Sequence, residues 1–411
     1  MEKIPGHNVA EAYSDIFKSS IFWAQTANHM QRRGTTRECD HLIKAISCLQ
    51  LLSVFVFLSC VPSSAQNYGQ QQSAPYIAPQ ALPSNQQPQR YYRRYPSNSF
   101  GTARSPAPPA NRAQTNNVNP ETALVATSTL PSATDPRIIE FNQPHMSWLP
   151  AAAPRNQLLL FLPGTNGVPR ADFPFAQLAS TLGYHAIFLM YPDEDAAQKV
   201  CSRSDDANAY IKFRLAVIQG GNYDSIRVST ADSIENRLAK LLSYLAMHQP
   251  NQGWDQYLRD GQINWQKLVV SGHSQGGGHA YVISKIHEVA RVIMFGSPKD
   301  YSFYFNRPAG GFDSNVKTPL QRYFAFNHTA DTAGGCDYNR EMEILRQIGL
   351  TRLGTTEVNS AAADPHHAHL IFTSEPLAEQ SNPMQFHSSV INGRLPSCRT
   401  VWTYMLSEPV P

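Results

Sequence analysis

From about residue 135 the apolar positions fall into two kinds of pattern that take turns along the chain. Leu158-Leu159-Leu160-Phe161-Leu162 is a continuous apolar run, as expected for a strand buried on both faces. Similar short runs occur at His185 to Tyr191, Lys267 to Val270, Arg291 to Phe295, Tyr323 to Phe326 and His369 to Thr373. Arg137-Ile138-Ile139-Glu140-Phe141 reads as an early strand. Between the runs lie segments of helical character: Phe173 to Leu182, Ala231 to Ala246, Ala280 to Val289 and Tyr338 to Ile348. The second of these places Ile234, Leu238, Leu241, Leu242 and Leu245 on one stripe. Strand and helix in repeated succession predict an α/β fold, a mostly parallel central sheet with right-handed crossovers and flanking helices. In such sheets binding and chemistry collect at the C-terminal ends of the strands. Residues 192–228 break the pattern. They read as irregular and polar, with Gly220-Gly221 as hinges, and form a candidate lid.

The first third of the chain has a different texture. Residues 1–29 show no clear pattern. Met30 is followed by Arg32, Arg33, Arg37 and Lys44, then by an apolar run from Ile46 to Cys60. That run is shorter than the ~20 residues a membrane span needs. Val61-Pro62-Ser63-Ser64-Ala65-Gln66 closes it with a small-x-small site. Residues 30–65 therefore read as a secretory signal with Met30 as the initiator and cleavage after Ala65. An uncleaved anchor, or a lipoprotein with Cys60 modified, is the alternative. Residues 66–134 are rich in Gln, Pro, Ser and Asn, carry Arg90, Arg93, Arg94, Arg104 and Arg112, and hold no acidic residue before Glu121. A stretch this poor in apolar area is expected to remain a disordered basic linker. A solvated spacer is the plain reading, and weak contact with an anionic cell-surface polymer is the other. This leaves 135–411 as a single domain.

Composition narrows the function classes. The net charge is +3 and only 16% of residues are charged, which gives no electrostatic footprint for nucleic acid. Neither a zinc-ligand spacing nor a phosphate-binding loop appears, and no transmembrane partner is implied.

The chemistry centres on Val269-Val270-Ser271-Gly272-His273-Ser274-Gln275-Gly276-Gly277-Gly278, an apolar strand, a sharp turn and a helix start. In G-x-S-x-G the serine is forced into a strained backbone geometry that exposes its oxygen. Glycines at 272 and 276 leave room for the strand and helix to pass closely. Ser274 is thus the candidate nucleophile. It needs a base, and the base needs an orienting carboxylate, each from a later strand end. Asp331, in the loop after the strand at 323–326, is the favoured acid, with Asp300 competing. His387 follows the last strand and is the favoured base. His366 and His367 precede that strand, at its wrong end. His273 and His279 read as packing or hydrogen-bonding histidines. For the oxyanion, the turn Leu162-Pro163-Gly164-Thr165-Asn166-Gly167 offers Thr165 N–H or Asn166 N–H, partnered by Gln275 N–H.

With these residues in place, the elbow, the oxyanion turn and the order Ser274, Asp331, His387 resemble the α/β-hydrolase fold over about 135–411. Gly-His-Ser-Gln-Gly-Gly-Gly is similar to the elbows of secreted esterases, lipases and polyester hydrolases. Asp232-Ser233-Ile234-Glu235-Asn236-Arg237 and Ser297-Pro298-Lys299-Asp300 add likeness to secreted bacterial hydrolases of unassigned substrate. The resemblance implies an exported serine hydrolase that needs no metal or organic cofactor, acting on an ester of a small molecule, lipid or polyester. The long 192–228 segment departs from the compact polyester hydrolases and argues against an open, cutinase-like site. Of Cys201, Cys336 and Cys398, the last two are expected to pair, since both flank the expected site. Two function classes stay open: an ester hydrolase, with amidase, peptidase or lactonase variants of the same triad, and a non-catalytic surface- or polymer-binding protein on a hydrolase scaffold.

Overall fold

Residues 126–170, 173–311 and 316–411 are described by a computed structural model, and all lie in one compact unit, Ala110–Pro411. Leu158–Leu162 forms the strand β3 and is buried at every position. Its side chains alternate: Leu158, Leu160 and Leu162 join one core cluster, Leu159 and Phe161 the other. A sheet with a core on each face explains why its strands read as unbroken apolar runs.

The central sheet has nine strands. In chain order they are β1 (Thr127–Thr129), β2 (His145–Trp148), β3, β4 (His185–Phe188), β5 (Leu268–His273), β6 (Arg291–Phe295), β7 (Tyr323–His328), β8 (Thr355–Glu357) and β9 (Leu370–Thr373). Across the sheet they run β1-β2-β4-β3-β5-β6-β7-β9-β8. Only β2 runs against its neighbours, and every other pair is parallel. The helices are α1 (Pro131–Thr134), α2 (Pro174–Thr181), α3 (Ala197–Cys201), α4 (Ala209–Gln219), α5 (Ile234–His248), α6 (Gln275–Ile286), α7 (Tyr338–Ile348), α8 (Pro383–Ser389) and α9 (Cys398–Ser407).

Local chemistry accounts for the helix boundaries. Ser233 caps α5 by accepting from Asn236 N–H, and the predicted stripe of Ile234, Leu238, Leu241, Leu242 and Leu245 is fully buried. Asp337 caps α7 in the same way, and Gly349 at φ 95° ends it. Asn382 and Gln385 form a reciprocal capping box at the start of α8, with Pro383 in its first turn.

Several expectations are corrected. Arg137–Phe141 is turn and bend, and the strand pairing with β4 is His145–Trp148. Asp135 and Arg137 form a local ion pair that holds a turn there. The fold also begins before residue 135, because Thr127–Thr129 pairs with β2. The rest of the expected linker, like the expected signal segment, lies outside the described residues. Among the described residues no helix is long and apolar enough to cross a membrane.

The 192–228 segment is not an irregular loop. It contains α3, α4 and a hairpin of Gly221–Tyr223 with Ile226–Val228. Tyr210, Phe213, Val217 and Ile218 of α4 are buried in the core. Its apolar positions lie all round the helix, so they leave no amphipathic stripe for sequence reading to find.

Candidate active site

The site is assembled where β3, β5, β6, β7 and β9, all parallel, reach their C-terminal ends. At the end of β5, Ser274 adopts φ 54° and ψ −119° between strand and helix. This is a left-handed conformation that a side chain tolerates only under constraint from its surroundings. The constraint is close packing. A Cβ on Gly276 would lie 2.0 Å from the carbonyl oxygen of Leu162, and one on Gly272 would lie 2.3 Å from the carbonyl carbon of Gly276. Ser274 N–H donates to Phe295 O at 2.9 Å, which ties the turn to β6.

His387 lies on α8, after β9, and Asp331 on the loop after β7. His387 Nδ1 and Asp331 Oδ2 are 2.6 Å apart, both side chains buried. The contact fixes the ring so that Nε2 is the nitrogen left for chemistry. Asp331 is held by more than the histidine, since its Oδ1 accepts from Ala333 N–H at 2.8 Å. Burial pushes the His387 pKa below that of an ordinary imidazole. The Asp331 carboxylate opposes this, and the Lys299 ammonium adds to the lowering. Burial alone would raise Asp331, but the His387 bond and the Lys299 charge hold it below the usual carboxylate range. Ser274 and His387 face one pocket of about 260 Å³, bordered also by Gly164, Thr165, Gln198 and Met384.

Sequence reasoning missed three contributors: the Lys299–Glu341 pair, Asp193 and the side chain of Gln275. Lys299, from the loop after β6, reaches Asp331 Oδ2 at 3.1 Å and also pairs with Glu341 of α7. Glu341 in turn accepts from Asn327 Nδ2 at 2.6 Å. Glu341 lies in the segment read as a helix, Tyr338 to Ile348, with nothing in the sequence to mark it as buried. Asp193 receives Gly167 N–H at 3.0 Å on its carboxylate and Asn166 N–H at 3.2 Å on its carbonyl, and so shapes the oxyanion turn. Burial pushes its carboxyl up to about 8. The side chain of Gln275 is the third: its Oε1 accepts from Ala197 N–H and from Thr165 Oγ1. It ties the elbow to α3 and to the turn.

These bonds separate the two oxyanion candidates. Asn166 N–H is committed to Asp193, whereas Thr165 N–H has no acceptor among the described residues. Gln275 opens α6, where the first N–H groups have no intrahelical partner.

The alternative residues lie elsewhere. Asp300 is fully buried in a two-point ion pair with Arg214, with Nε to Oδ2 at 2.6 Å, and Arg214 also donates to Gln275 O. His366 and His367 are exposed, and His367 pairs with Glu408. His279 is wholly buried against Tyr191 and Phe213, and burial holds it neutral. His273 Nε2 bonds the carbonyl of His387 at 3.0 Å.

The expected Cys336–Cys398 disulfide does not form. Cys201, Cys336 and Cys398 are free and buried. Cys336 packs in the core on one face of the sheet and Cys398 in the core on the other, which no disulfide can span. Among the described residues one donor set, Asp331, Glu341 and His387, gathers within 4.8 Å. The Lys299 ammonium already bridges its two carboxylates, so the charge a cation would supply is present.

The sheet order and the strained serine turn after β5 are those of the α/β-hydrolase fold. No protein-family model matches the sequence, and no curated protein matches it. Among solved structures, the Pyrococcus horikoshii acylaminoacyl peptidase is similar at 11% identity and TM-score 0.37, over 70% of this chain and 42% of that one. This chain therefore spans less than half of that peptidase. A dienelactone hydrolase from Anabaena variabilis is 14% identical at TM-score 0.34, over 69% of this chain and 94% of that one. Esterase 2 of Thermogutta terrifontis is 12% identical at TM-score 0.34, over 69% and 91%. Likeness this distant says nothing of substrate.

Proposed function

We propose that the chain is an exported serine hydrolase that cleaves carboxylic esters through an acyl-enzyme on Ser274. The observation that carries this reading is the buried His387–Asp331 pair, 2.6 Å apart, bordering the same pocket as a serine at φ 54°. Ser274 Oγ attacks the ester carbonyl while His387 Nε2 takes its proton. The carbonyl oxygen becomes an oxyanion facing Gln275 N–H and Thr165 N–H. Asp331 stabilises the imidazolium, which then protonates the leaving alcohol. Water repeats the sequence to release the acid. Export rests on the basic, apolar and small-residue succession of 30–65 and predicts a mature start at Gln66.

A chromogenic ester panel of graded acyl length, assayed on the full chain and on Ser274→Ala, tests the reading. Turnover of short esters that the variant loses supports it. Equal rates from both proteins would overturn it.

A further inference from the structure

We infer that the buried Lys299–Glu341 ion pair is a positioning device for the catalytic acid: Lys299 clamps the Asp331 carboxylate, and Glu341 cancels the charge that Lys299 brings to His387. The inference rests on the serine-hydrolase reading above.

Lys299 borders the pocket yet is only 2% exposed as a side chain. An ammonium has three N–H donors. Here one donates to Cys336 O at 2.7 Å, and the ammonium also ion-pairs with Asp331 Oδ2 and Glu341 Oε1. Enclosed by these three partners and 2% exposed, Lys299 is placed to act on Asp331 and not on a substrate. It acts through Asp331, whose Oδ2 it shares with His387. Stability alone gives no reason to keep such a pair, because well-packed apolar replacements are often neutral or stabilising. A lone cation beside Asp331 would also oppose the positive charge that His387 acquires in the reaction. Glu341 restores one net negative charge to the cluster, as in a simple Ser-His-Asp arrangement.

The groups that face His387 are few. Asp331 and Lys299 approach from the loops after β7 and β6, and Glu341 from α7. His273 approaches from the end of β5 and is kept neutral by burial, which pushes it down to about 3. His328 packs on Phe386, next to His387 on α8. Among these, Glu341 is the one that burial pushes up to about 7 against the pull of Lys299. Its cancelling charge is therefore present above that pH and fades below it.

The test is the rate at which a fluorophosphonate labels Ser274 in the full chain, at pH 6 and pH 9, for wild type, E341Q and the double variant K299M/E341Q. At pH 9 E341Q should label about tenfold more slowly than wild type, the effect of one pKa unit on the imidazole. At pH 6, where Glu341 is itself protonated, the two should be close. The double variant, with both charges gone, should recover part of the loss at pH 9, the remainder being the clamp on Asp331 that K299M removes. A defect of equal size at both pH values would overturn the inference, as would a folded double variant no faster than E341Q. Should the double variant fail to fold, the pH dependence of the E341Q defect decides alone. A wild-type Ser274 that never labels would overturn the hydrolase reading, and this inference with it.

Discussion

The ring Nε2–H of His273 donates to the backbone carbonyl of His387 at 3.0 Å, across 114 residues of chain. The residue before the nucleophile thus holds the backbone of the proposed base, and the two rings lie 4.4 Å apart. His273→Ala removes that tie without touching Ser274 or Asp331. A net hydrogen bond is worth about 1 kcal/mol, so kcat/KM should fall roughly five- to tenfold with little change in melting temperature. Steady-state kinetics beside a thermal melt checks this.

Ser274, His387 and Asp331 should behave as one unit. Ser274→Ala and His387→Ala should each lose on the order of 10⁶ in kcat, and the double variant little more. His366→Ala and His367→Ala should keep most activity, since both side chains are exposed and His367 is turned to Glu408. A dead His367 variant would contradict the placement of the base.

The acid limb of kcat/KM should fall below the ordinary imidazole value of 6.5. His387 is shifted down by its burial, and only its neutral form can accept the serine proton. As pH falls through that lowered value the ring becomes protonated and activity is lost. A limb centred above 6.5 would mean that the Asp331 carboxylate outweighs burial.

Asp300 should matter for folding and not for the chemical step. Among the described residues it is the one carboxylate paired with Arg214, and both are fully buried. Asp300→Ala leaves an unpaired buried guanidinium, a loss of about 3–5 kcal/mol. Urea unfolding should report this loss. Whatever fraction of the variant remains folded should still be labelled at Ser274.

How far the sequence carried depended on whether a residue's role was local. The elbow at Gly272–Gly276 and the strand at Leu158–Leu162 were legible because turn chemistry and two-face burial leave continuous signatures. That His387, and not His366 or His367, falls past the C-terminal end of β9 needed only the direction of that strand. The core helix α4 was hidden, because its apolar positions lie all round it and leave no amphipathic stripe. Arg214 is buried only because Asp300, far along the chain, meets it. The same holds for Lys299 and Glu341, whose meeting depends on how α7 packs. The disulfide expectation failed for a related reason: nearness to the site in sequence order does not say on which face of the sheet a cysteine falls.

The 192–228 segment gives a further test. With Tyr210, Phe213 and Val217 in the core, deleting 209–219 should leave an insoluble or unfolded chain, not an esterase of altered acyl preference. Expression and circular dichroism distinguish the two.

The most direct test of the central claim is the mass of the intact protein after exposure to a fluorophosphonate, with the adduct mapped by peptide fragmentation. The account predicts one adduct per chain, on Ser274, absent from Ser274→Ala and formed far more slowly in His387→Ala. An unmodified wild-type chain, or an adduct on another serine, would contradict it.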